Sequence, residues 1–129
     1  MIIGTGIDIV EVYRMREAVE KYGEAFVERI FTPREIAYSK SRRFSYQHLA
    51  GRFAVKEACL KAFGSAKRWP LQWTQIEVLN DKWGMPIVEF HDDALKLKKK
   101  RRVSKIIVSL SHSKNYAVAN AILLNNVKR

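Results

Sequence analysis

The chain has 129 residues, a net charge of +11 and a 47% hydrophobic share. That balance excludes an intrinsically disordered chain and fits one domain, residues 1–129, burying roughly two thirds of its unfolded surface. No apolar run approaches the ~20 residues that span a bilayer, and Met1-Ile2-Ile3-Gly4 lacks the basic n-region of a signal peptide. Cys59 has no companion for an intrachain disulfide, which points to a cytoplasmic address.

Ile2 to Val10 reads as a strand. Ile3, Thr5, Ile7 and Ile9 fall on one face; Gly4, Gly6 and Asp8 fall on the other. A helix follows from Glu11 to Tyr22, with Gly23 as its stop and a short helix from about Glu24 to Phe31. Thr32-Pro33-Arg34-Glu35 is a helix start with a cap, a proline at the first position and a capping box. A long helix runs from Ser45 to Phe63 and stops at Gly64. Strands are expected at Thr74 to Leu79 and Pro86 to Phe90, then a basic amphipathic helix from His91 to Arg102. Lys105 to Ser111 and Tyr116 to Leu124 read as a closing hairpin, with a loose tail over residues 125–129. Antiparallel hairpins with segregated helices make this an α+β fold.

Three places invite chemistry. Asp8 lies inside an apolar strand, on the face that otherwise carries glycines. A carboxylate there needs a partner; it pairs with an arginine, caps the next helix, or joins a site that the glycines leave room for. On the long helix, Lys56 falls inside the apolar stripe of Leu49, Phe53, Leu60 and Phe63. Glu57 and Lys61 sit one turn apart at its edge. An ordinary i, i+4 pair accounts for Glu57 and Lys61 but leaves Lys56 unexplained. Asp8 with Glu57 also suits magnesium, which takes one or two carboxylates and completes its shell with phosphate and water. Ser109-Leu110-Ser111-His112 ends a strand with polar residues, as a binding rim or a solvated hairpin would. No nucleophile elbow supports a serine hydrolase, and the scattered His48, His91 and His112 do not build a zinc site.

These segments resemble, in order, the bacterial holo-acyl-carrier-protein synthases. Gly4-Thr5-Gly6-Ile7-Asp8-Ile9-Val10-Glu11 resembles the opening strand of that family. Phe31-Thr32-Pro33-Arg34-Glu35-Ile36-Ala37-Tyr38 is similar to its next segment, and Arg52-Phe53-Ala54-Val55-Lys56-Glu57-Ala58-Cys59-Leu60-Lys61-Ala62-Phe63-Gly64 to its central helix. Ile76-Glu77-Val78 with Gly84-Met85-Pro86, and Val108 to His112 with Tyr116 to Ala119, resemble its two hairpins.

The resemblance implies a 4′-phosphopantetheinyl transferase-like fold with antiparallel strands around a long central helix. It implies Asp8 and Glu57 as magnesium ligands, Lys61 on coenzyme A phosphates, and Arg52, Lys56 and His112 near the coenzyme. It also implies a homotrimer with active sites between subunits, and an acidic acyl carrier protein docking at Arg14. The expected reaction moves phosphopantetheine from coenzyme A to a carrier serine and releases adenosine 3′,5′-bisphosphate. Glu57, directly or through water, is the expected base, and Glu57 and Lys61 are the expected catalytic pair. Ser65 to Pro70 departs from the glycine-containing turn usual in the family, and Lys98 to Arg102 is unusually basic. A basic nucleic-acid-binding protein is the rival reading; the chain has no helix-turn-helix, RNP or zinc-finger pattern to supply specific contacts. A coenzyme-binding protein without catalysis is a narrower rival, opposed by the intact carboxylate pair.

Overall fold

The computed structural model describes residues 1–64 and 72–126. Strand β1 (Ile2–Glu11) leads into helix α1 (Val12–Ile30), which Gly23 interrupts with φ 71°. The expected stop is therefore a kink between two helical segments. Helix α2 (Pro33–Lys40) starts with the expected capping box: the Glu35 N–H donates to Thr32 Oγ1, and the Thr32 N–H donates to Glu35 Oε1. Helix α3 (Ser45–Ala62) ends one residue early, with Gly64 at φ 81° beyond it.

The next strand begins later than expected. Trp73–Gln75 form a 3₁₀ turn, and β2 runs Ile76–Asn80 before pairing with β3 (Pro86–Phe90). Carbonyls of this stretch are claimed by a buried lysine, described below, which overrides local strand propensity. Helix α4 spans Asp92–Lys100, shorter at both ends than its basic pattern suggested, and the hairpin is β4 (Lys105–His112) and β5 (Tyr116–Leu124). The tail holds longer than expected: Asn125 exchanges backbone hydrogen bonds with Met1, and the Asn126 N–H donates to Ser104 Oγ. Residues 127–129 and the unusual turn Ser65 to Pro70 lie outside the described residues.

One antiparallel sheet has the order β1-β5-β4 and the other is the β2-β3 hairpin. Helix α3 lies across β1 and β5 and carries most of the core, including Ala54, Val55, Ala58 and Cys59, against Ile76, Val78, Ala119 and Ala121. Full burial of Val55, Ile76 or Val78 stabilises by about 1.5–3 kcal/mol each.

Small residues bring helix and strand together. A Cβ on Gly6 would lie 2.0 Å from the Ala58 carbonyl oxygen, and one on Gly4 would lie 2.3 Å from that of Ala62. Opposite Gly6, Asp8 and Val10 in register, Ala121, Ala119 and Ala117 are buried on the same face. The glycine face of β1 is thus the inward one, and what approaches it is the backbone of α3. The isoleucine face is left outward: Ile7 is 65% and Ile9 64% exposed.

Candidate active site

Asp8 follows Gly4 and Gly6 on the inward face of β1, so it enters the seam where α3 passes closest. Glu57 and Lys61, one turn apart on α3, meet it there. Lys61 Nζ donates to Asp8 Oδ1 at 2.8 Å. Asp8, Glu57, Lys61 and Arg14 line a cavity of about 520 Å³, walled by Met15, Phe26, Phe53 and Trp73. Arg14 stands at its rim, 77% exposed and 3.3 Å from Glu11.

The electrostatics fit a cation. Burial pushes the Glu57 carboxyl above its ordinary range, and the nearby Asp8 charge adds to this; Lys61 opposes both. The hydrogen bond to Asp8 raises Lys61, against its slight desolvation. Two partly buried carboxylates that line an open cavity are a donor set of the hard-oxygen kind that suits magnesium. Among the described residues no group of three or more His, Cys, Asp or Glu side chains converges, so a metal here would draw its other ligands from substrate and water.

Lys56 does not join this site. Its side chain is fully buried, and Nζ donates to Glu35 Oε1 at 2.8 Å, Ile76 O at 2.7 Å and Trp73 O at 3.0 Å. The ammonium has no donor left for a coenzyme phosphate, so the expectation that Lys56 lies at the coenzyme is corrected: it ties α3 to α2 and β2.

Arg52 and His112 form a second cluster. Five residues separate Arg52 from Glu57, or about 140° around a helix, so they serve different faces of α3. The Arg52 guanidinium lies 3.9 Å from the centre of the Tyr38 ring, and Arg42 stacks over the same ring at 4.7 Å. His48 packs edge-on to both Tyr38 and His112. Arg52 Nη2 donates to Asn80 Oδ1 at 2.6 Å, while its buried Nε has no hydrogen-bond partner among the described residues. Burial, and then the charges of His112, Arg52 and Arg42, push His48 below its ordinary range. This cluster is short of negative charge, which an anion would supply.

Reading by motif overlooked Tyr38 and His48 as members of this cluster. The spacing of His48 and Arg52, four apart on one helix, was the available signal. Ser109 and Ser111 lie on the exposed outer face of β4, with Ser109 Oγ hydrogen-bonded to Asn120 Oδ1.

The family model of the 4′-phosphopantetheinyl transferase superfamily matches residues 4–121. A holo-[acyl-carrier-protein] synthase of Geobacter sulfurreducens is 46% identical over 123 residues, covering 95% of this chain and 98% of that protein. The crystal structure of the synthase from Neisseria meningitidis superposes with a TM-score of 0.88 at 32% identity, over 97% of this chain and 100% of the other. The synthase of Bacillus anthracis, solved in complex with CoA (3′,5′-ADP), gives a TM-score of 0.80 at 35% identity, over 98% and 99% of the two chains. The chain belongs to the 4′-phosphopantetheinyl transferase superfamily and, within it, to the holo-[acyl-carrier-protein] synthases.

Proposed function

We propose that the chain moves the 4′-phosphopantetheine arm of coenzyme A onto a serine of an apo acyl carrier protein, with magnesium at Asp8 and Glu57, releasing adenosine 3′,5′-bisphosphate. The observation that carries this reading is the meeting of Asp8, Glu57 and Lys61 in one cavity across the β1–α3 seam. Magnesium, when bound, supplies Lewis-acid neutralisation of the pyrophosphate charge. Lys61 adds a mobile positive charge beside the same phosphates. The serine Oγ forms its bond to the β-phosphorus, and the bond from that phosphorus to the bridging oxygen breaks, so the electron pair leaves with the bisphosphate. Glu57 takes the serine proton, directly or through water, from its place in the cavity beside Asp8 and Lys61. No nucleophile from this chain is needed. Arg52 and Arg42, with His48 and His112 packed beside them, supply a second site of positive charge for the coenzyme.

The working unit in this reading is a homotrimer. Glu57 and Arg52 face different sides of α3, so one copy does not bring both clusters to one ligand. The outward sheet face carries Ile3, Ile7, Ile9, Ile107, Tyr116 and Val118, each more than a third exposed. Apolar faces of this kind are covered in obligate assemblies, and joining copies through it would let a cluster of one subunit complete the cavity of the next. The rim arginine Arg14 then meets the acidic carrier. We place this domain, residues 1–129, in the cytoplasm, in keeping with the buried thiol of Cys59.

Intact-mass spectrometry of apo carrier protein with coenzyme A tests the reaction. A gain of one phosphopantetheine with magnesium and none with chelator is expected; no gain on any of several carriers, with the protein folded, would overturn it.

A further inference from the structure

The two lysines of the central helix are held very differently. Lys56 is fully buried on three acceptors, whereas the Lys61 side chain is 48% exposed and has Asp8 Oδ1 as its hydrogen-bond acceptor. One exposed contact on a long flexible stem costs little to break. We propose that Lys61 is the resident counter-cation of the Asp8–Glu57 pair, and that it leaves Asp8 for a coenzyme phosphate when a divalent ion arrives, so that metal and coenzyme binding are coupled through this side chain. The inference rests on the metal reading above and adds an exchange of cations to it.

The geometry favours such an exchange. The ammonium sits at 2.8 Å on a carboxylate oxygen that is itself only 14% exposed by side chain, so a second cation approaching that oxygen meets a like charge at contact distance. Glu57, one turn before Lys61, gives the ammonium no hydrogen bond to retreat to among the described residues. The phosphates that enter with the coenzyme provide the alternative anion. Lys61 therefore holds the carboxylate pair together in the free protein, opposes metal binding alone, and favours it once the phosphates are present. By linkage, the metal strengthens coenzyme binding by the same factor.

Titration calorimetry with Mg²⁺ on wild-type protein and Lys61→Met, without coenzyme, reads the first half. Lys61→Met should bind Mg²⁺ roughly fivefold tighter, and the further gain on adding coenzyme A should shrink. Circular dichroism checks that the variant is folded. The second measurement is the Lys61 ammonium resonance, assigned by its absence from Lys61→Met. On Mg²⁺ addition without coenzyme it should move to the position of a solvated lysine. Unchanged or weaker Mg²⁺ binding in Lys61→Met, or a resonance that stays fixed at saturating Mg²⁺, overturns the exchange. If Asp8→Asn binds Mg²⁺ as wild type does, the metal assignment itself falls, and this inference with it.

Discussion

Lys56 and Glu35 form an ion pair at 2.8 Å with both side chains fully buried. Glu35 also accepts the N–H of Thr32 at 2.8 Å and that of Val78 at 2.9 Å, so one carboxylate joins α2, α3 and β2. Burial pushes the Lys56 ammonium down, and Glu35 is the chief opposing influence. Removing one partner strands a buried charge. Lys56→Met should cost about 3–5 kcal/mol of stability in urea unfolding, and adding Glu35→Gln should recover part of that, because a neutral amide leaves no buried charge. In the folded fraction of Lys56→Met, KM for coenzyme A should stay near the wild-type value; a KM rise without loss of stability would restore Lys56 to the coenzyme.

Gly6 is the residue that lets Asp8 reach Glu57. A methyl group there would stand 2.0 Å from the Ala58 oxygen and 2.6 Å from the Ala62 nitrogen, both backbone atoms that cannot rotate aside. Gly6→Ala should force β1 away from α3, costing at least the about 1–3 kcal/mol of an overpacked core. Turnover should fall by about 100-fold, the usual consequence of shifting a reacting group by an ångström. Urea midpoint and single-turnover rate check both parts.

The same glycines show how far the sequence alone reaches. Alternation along β1 separates its two faces correctly, but isoleucine against glycine suggests no reason to bury the glycine side until the α3 backbone is in place. The Thr32–Glu35 capping box is local and therefore readable. The bonds from Glu35 to Lys56 and Val78 span 21 and 43 residues, and no local pattern announces them. Asp8 with Glu57 is legible because both lie in ordered motifs. The separation of Arg52 from Glu57 follows from helical spacing, but the meeting of Arg52 with Tyr38, His48 and His112 does not, since it joins α2, α3 and the end of β4 through contacts no local pattern announces. The strand expected from Thr74 turns into a 3₁₀ turn because Lys56 claims the Trp73 and Ile76 carbonyls, a tertiary demand stronger than local propensity.

Glu77 makes acid stability a second readout of the fold. Burial pushes its carboxyl up, but hydrogen bonds from Arg34, Thr32 and His91 outweigh that and hold it at about 2, against an ordinary value of 4.5. A depressed folded value means the contribution is complete above pH 4.5 and is lost as the pH falls toward 2. Glu77→Gln should therefore lower the urea midpoint at neutral pH and flatten its decline across that acid window. An equally steep decline in the variant would show that other carboxylates carry it.

Ile7 separates a solvated sheet face from a covered one. It is 65% exposed in the single chain, so Ile7→Asp costs little if that face meets water. If copies cover it, the buried charge has no partner and the assembly comes apart. Light scattering should give three times the 15.0 kDa chain mass for wild type and the single-chain mass for the variant. Turnover should fall with it, because the Arg52 cluster no longer completes a neighbour's cavity. A monomeric wild type with full activity would remove both the trimer and the shared site.

Arg14, at the rim of the cavity, tests the proposed docking surface. Its pair with Glu11 at 3.3 Å is exposed on both sides and contributes little to the fold, so the guanidinium is free to exchange that partner for a carrier carboxylate. Arg14→Ala should raise KM for the carrier about fivefold at low salt, and less at high salt, as screening shortens the reach of every surface charge. Neither kcat at saturating carrier nor KM for coenzyme A should move. Arg14 already stands at the rim of the cavity that Lys61 lines, so a change confined to the coenzyme KM would assign it to the coenzyme instead of the carrier, and the acidic partner would then have to meet another part of the basic surface.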